Sequence, residues 1–168
     1  MTAGSKAEPS AGPVDLVVEI EAGGWPPAPE LDALTRRAVA ASFAELGLSP
    51  EPDPELSVTF TDDAHMASLN GRWRGKDGST NVLSFPLVQV RPGVPIPPML
   101  GDIVVAFETV SREAEDQDKH FIAHLTHLLV HGLLHLLGYD HVDDGEAETM
   151  ESLERRILER LAIPDPYA

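Results

Sequence analysis

Apolar residues recur along this chain with two different periods, and the switches between them outline its elements. Val14–Ile20 is mostly apolar and Glu55–Thr61 alternates with a period of two, so both are expected to be strands. From Pro29-Glu30 to about Leu46, Ala and Leu recur at helical spacing, and Gly47 ends the run. Asp62 or Asp63 caps a short helix toward Leu69. Arg72–Thr80 reads as a polar, basic loop. Asn81–Leu87 and Leu100–Phe107 read as strands, separated by a loop or flap over the proline-bearing stretch Val88–Pro98. From about Ser111 the spacing is helical, first polar and acidic, then strongly apolar from Phe121 to Leu137. A last amphipathic helix is expected from about Asp144 to Leu161, ended by Pro164. This order implies an α+β fold: one domain with a small mixed sheet of about four strands, packed with about four to five helices.

Composition alters this outline little. A chain of 168 residues that is 42% hydrophobic can build one core. Met1–Pro13 is polar and rich in Ala, Gly, Ser and Pro, so it reads as a disordered tail ahead of a domain over residues 14–168. No run of about 18 apolar residues occurs, so no membrane span is expected. The chain has no cysteine, which excludes disulfides and thiolate ligands and fits a cytoplasmic protein.

Charge matters more. Twenty-eight acidic residues against 12 basic ones leave a net charge of −16. Affinity for a polyanion comes mostly from Lys and Arg, so non-specific nucleic-acid binding is disfavoured and no DNA partner is expected. The acidic stretches 51–55, 115–118 and 143–151 read as solvated surface. Against that background, Arg72, Arg74 and Lys76 form a local positive patch.

Six of the seven histidines fall between His120 and His141. At roughly 100° per residue, positions 120, 124, 127, 131 and 135 share one stripe of a helix that is otherwise mostly Phe, Ile, Leu and Val. His131 and His135 are one turn apart and project together. Gly138 can end the helix in a left-handed conformation and return His141 toward them. Three neutral imidazoles with an open fourth position are how catalytic zinc is usually held, so a metal site is expected at the end of a buried helix. Zinc is favoured, and nickel also suits three imidazoles. His124 and His127 read as hydrogen-bonded histidines, His65 and His120 as surface residues. Asp102 and Asp140 are candidates to orient the imidazoles.

The ligand spacing H-x-x-x-H-x-x-G-x-x-H is also that of metzincin proteases, which need a Glu beside the first histidine as general base. Here that position is Gly132, so the peptidase reading loses its base.

His131-Gly132-Leu133-Leu134-His135-Leu136-Leu137-Gly138-Tyr139-Asp140-His141 resembles the signature of the YbeY family of bacterial metal-dependent endoribonucleases. Leu69-Asn70-Gly71-Arg72-Trp73-Arg74, continuing to Thr80-Asn81-Val82-Leu83-Ser84-Phe85-Pro86, is similar to a second family block, with Trp73 where the family usually has Tyr or Phe. Leu100-Gly101-Asp102-Ile103 is a shorter third match. The resemblance implies a single-strand-specific endoribonuclease acting in 16S ribosomal RNA 3′-end maturation and ribosome quality control. It further implies histidine ligands at His131, His135 and His141, a functional arginine at Arg74, and ribosomal RNA, the small subunit and ribosome-associated proteins as partners. The competing reading is a non-catalytic ribosome-assembly factor whose metal is structural, which a closed four-ligand site would favour.

Overall fold

Parallel pairing of the first two strands follows from the helix between them, because a parallel crossover needs a connection of at least a dozen residues. The computed structural model describes residues 13–168. In it β1 (Asp15–Ile20) is followed by α1 (Ala28–Leu46), β2 (Glu55–Thr61) and α2 (Asp63–Arg74). Then come β3 (Val82–Pro86), β4 (Met99–Ala106), α3 (Phe107–Asp116), α4 (Phe121–Leu136) and α5 (Asp144–Arg160). The sheet order is β1-β2-β4-β3. β1 and β4 run parallel to β2, and β3 is antiparallel to β4 on the edge. The α+β fold with a four-stranded mixed sheet is therefore as expected. The tail expected over residues 1–13 lies outside the described residues, Pro13 excepted.

Strand alternation decides which face is covered by what. Leu56, Val58 and Phe60 of β2 and Ile103 and Val105 of β4 point to one face, where they pack with α1, α4 and α5 into the main core. Val104 and Ala106 point the other way and, with Leu83 of β3 and Met66 of α2, form a second, smaller cluster. α4 is buried almost all round, which is why its sequence looks apolar on nearly every face. Among the described residues no helix is long and apolar enough to cross a membrane.

Three boundaries differ from expectation. α2 continues through Arg74 and ends at Gly75, so Arg72, Trp73 and Arg74 sit on a helix rather than in a loop. The helical stretch expected from Ser111 is two helices: α3 begins at Phe107, directly after β4, and the chain turns before α4 through Asp118 in the left-handed region (φ 55°). Aspartate adopts that conformation more readily than most residues, so no glycine advertised the break. His120 lies at the N-terminal cap of α4 and is exposed.

β4 carries a bulge next to the site. Met99 pairs with Glu55 and Gly101 with Leu56, leaving Leu100 as the extra residue. Gly101 has φ 137°, and a Cβ there would come within 2.3 Å of the Phe85 carbonyl oxygen on β3. The missing side chain at Gly101 thus lets β4 and β3 approach closely.

Candidate metal centre

α4 delivers the first two ligand candidates from one face. The His131 and His135 ring centroids are 4.6 Å apart, and their Nε2 atoms are 3.1 Å apart. The helix then ends in paired capping bonds: Gly138 N–H donates to the His135 carbonyl and Tyr139 N–H to the Leu134 carbonyl, each at 3.0 Å. Gly138 stands at φ 99°, and a Cβ there would lie 2.2 Å from the Val90 carbonyl oxygen. The reversal brings His141 back over His131, with ring centroids 5.7 Å apart and planes inclined by 26°. One ligand nitrogen from each of the three residues lies within 4.8 Å of the other two.

The hydrogen bonds around the rings place their protons. His135 Nδ1 is 3.0 Å from the Tyr139 carbonyl oxygen, which can only accept, so Nδ1 carries the hydrogen. His131 Nδ1 is 2.6 Å from Glu154 Oε2, a carboxylate oxygen, with the same consequence. Both Nε2 lone pairs then face each other at 3.1 Å, an arrangement that repels unless a cation lies between them. A tetrahedral ion bound at about 2.0–2.1 Å would separate two such nitrogens by roughly 3.3 Å. The donor set therefore fits a metal ion. Burial, then the neighbouring His131 and His141, lower the His135 pKa, which keeps its imidazole in the neutral, ligating form.

Glu154 of α5 was not anticipated from sequence. It is wholly buried, and accepts from His131 Nδ1, from His127 Nε2 at 2.8 Å and from the Tyr167 hydroxyl. Burial alone would raise its pKa, but the hydrogen bonds from His127, His131 and Tyr167 outweigh it and bring the carboxyl to about 2. A signal was present: Met150, Leu153, Glu154, Ile157 and Leu158 share the buried face of α5, so this glutamate occupies a core position of the helical period. The two aspartates expected to orient the imidazoles do not. Asp140 accepts from the backbone N–H of His141 at 2.8 Å, and Asp102 is exposed on β4. His124 and His127 are hydrogen-bonded as expected, to Glu113 and Glu154 at 2.8 Å each.

The triad lines an open cavity of about 820 Å³, whose wall also includes Arg74, Asn81 and Ser84. Arg74 is exposed and, among the described residues, forms no ion pair. Asn70 holds the turn that follows it, donating from Nδ2 to the Gly78 carbonyl (3.0 Å) and accepting the Lys76 N–H at its own carbonyl (3.3 Å). Ser84 Oγ donates to the Gly132 carbonyl at 2.8 Å, tying β3 to α4. A Cβ on Gly132 would meet Ile103 and Ser84 side-chain atoms at 3.2 Å, so this position faces the sheet and packs tightly against it, away from where the glutamate of a peptidase is needed. Among the described residues no carboxylate joins the three nitrogens to close the site.

A family model described as Endoribonuclease YbeY matches residues 26–162. The chain is 53% identical over 159 residues to Endoribonuclease YbeY of Rhizobium meliloti (strain 1021), covering 92% of this chain and 95% of that protein. It is 52% identical over 159 residues to the protein of the same name from Sinorhizobium fredii, covering 92% of each. The solution structure of TM1509 from Thermotoga maritima superposes with a TM-score of 0.54 at 24% identity, over 87% of this chain and 92% of that one, a likeness of fold.

Proposed function

Since this chain belongs to the YbeY family, we propose that it is a metal-dependent endoribonuclease of residues 14–168 that cuts single-stranded RNA. We further propose that it processes the 16S ribosomal RNA 3′ end on the small subunit, serves ribosome quality control with ribosome-associated proteins, and works in the cytoplasm. The observation that carries this reading is the convergence of three imidazole nitrogens with an arginine that has no ion-pair partner among the described residues, in one open cavity.

His131, His135 and His141 would hold one zinc ion, with nickel as the other metal suited to three imidazoles. When bound, the ion supplies Lewis acidity to a phosphoryl group. The rest of the work falls to side chains. Arg74 offers a planar fork to the non-bridging oxygens of a phosphodiester, and the charge it faces grows as the transition state forms. Trp73 beside it is 65% exposed, unusual for so large an apolar surface. An unpaired base can stack on such a ring whereas a base held in a duplex cannot, which favours single strands. Asn70 holds the turn that follows Arg74, and Ser84 ties the cavity wall to the helix of His131 and His135.

The test is cleavage of a structured ribosomal RNA precursor by the purified protein, with and without chelator. Cleavage confined to unpaired segments and abolished by chelator is expected. His131→Ala should lose metal and melt at a lower temperature, whereas Arg74→Ala should keep metal and fold but lose cleavage. Full metal occupancy in His131→Ala, or wild-type turnover in Arg74→Ala, would remove that residue from the site.

A further inference from the structure

We infer that Glu154 and Tyr167 are a positioning pair for the metal centre: Glu154 holds His131 with its proton on Nδ1 and its Nε2 lone pair toward His135, and Tyr167 holds Glu154. The inference rests on the metal reading above and adds residues outside the cavity. Glu154 is neither in the triad nor in the cavity wall, so it acts through His131 alone.

A carboxylate buried this deeply is costly unless donors reach both of its oxygens, and at its position on α5 a leucine would pack without that penalty. Here three donors reach the two oxygens. Oε2 accepts from His131 Nδ1 at 2.6 Å, while Oε1 accepts from His127 Nε2 at 2.8 Å and from the Tyr167 hydroxyl. Because a carboxylate only accepts, the contact dictates one His131 tautomer, the one whose Nε2 can ligate.

Tyr167 is itself held from several sides. Its N–H donates to Asp165 Oδ1 at 2.8 Å, Lys119 Nζ donates to the neighbouring Pro166 carbonyl at 3.1 Å, and the Arg155 guanidinium lies 5.4 Å from its ring centroid. The ring also meets that of His127 edge-on, at 5.5 Å. The segment after α5 therefore folds back across α4 and α5 and places one hydroxyl on the carboxylate behind the first ligand. Chain remote from the cavity thereby becomes part of the support of the metal centre.

The test uses the full chain and two readouts besides activity. Zinc affinity, measured by chelator competition, should fall about 10- to 100-fold in Glu154→Gln and by a smaller factor in Tyr167→Phe, both with unchanged circular dichroism. In metal-free protein at one fixed pH, long-range ¹⁵N–¹H spectra should show His131 protonated at Nδ1 in the wild type and as a mixture of tautomers in Glu154→Gln. Wild-type affinity together with an unchanged tautomer in Glu154→Gln would overturn the pair. If Glu154→Gln does not fold, Tyr167→Phe decides: unaltered zinc affinity overturns the role of Tyr167, and a loss supports it. Failure of the wild type to take up zinc overturns the metal reading instead, and the metal-free spectra still judge the pair.

Discussion

His124 is the most buried of the histidines near the site, donating from Nε2 to Glu113, which also accepts from Asn81 at the start of β3. Burial lowers its pKa below the ordinary 6.5, helped by His127 and Lys119 and opposed by Glu113. The folded chain therefore resists protonating it, while the unfolded chain takes the proton as pH falls through about 6.5. Stability from this group is complete above about pH 6.5 and is lost below it. His135 carries the same sign, and His65, raised by Asp62, carries the opposite one but is fully exposed and screened. Urea midpoints of metal-free protein should accordingly fall between about pH 7 and pH 5. His124→Asn should flatten that fall, and an unchanged slope would mean that His124 is not its source.

The turn after α4 sets whether the third imidazole arrives. Gly138 is required there twice, by its φ of 99° and by the Val90 carbonyl that a Cβ would strike at 2.2 Å. Gly138→Ala should cost about 2–4 kcal/mol in chemical denaturation and displace His141, weakening zinc binding in the same protein. Stability within about 0.5 kcal/mol of wild type would show that the turn tolerates a side chain. The Leu-Gly-Asp-Ile motif has a comparable explanation: Leu100 is fully buried at the bulge against β2, and Gly101, lacking a Cβ, lets β4 lie close against β3. The block around Arg74 likewise divides by task. Asn70, Asn81 and Ser84 are bonded to the Gly78 carbonyl, Glu113 and the Gly132 carbonyl, and Arg74 faces the cavity.

A net charge of −16 surrounds a cavity lined by Arg74, with Arg72 and Lys76 two residues to either side of it in sequence. Such a molecule repels most of a polyanion and attracts it at one place. If these three cations neutralise phosphates, the logarithm of affinity for single-stranded RNA should fall with the logarithm of salt at a slope of about −2. Affinity for arbitrary RNA should be weak, so productive cleavage would depend on a ribosomal context. Filter binding across a salt series checks this, and tight, salt-insensitive binding would place RNA contacts elsewhere on the surface.

Periodicity and spacing were enough for the strands, for α1 and for the convergence of the three histidines, because each depends on neighbours within a turn or two along the chain. Glu55–Thr61 is a strand with the bounds its alternation implied, and His131, His135 and His141 converge as their spacing across Gly138 required. The break at Asp118 and the extension of α2 to Arg74 were not legible, because a left-handed aspartate and a polar last helical turn resemble loop sequence. Nor was the partner of His131. Asp140 is its close neighbour in sequence, yet Glu154, 23 residues away, makes the contact. Which carboxylate reaches a buried imidazole depends on how α5 and the chain after it pack across α4. That is a property of three-dimensional packing, on which local spacing is silent.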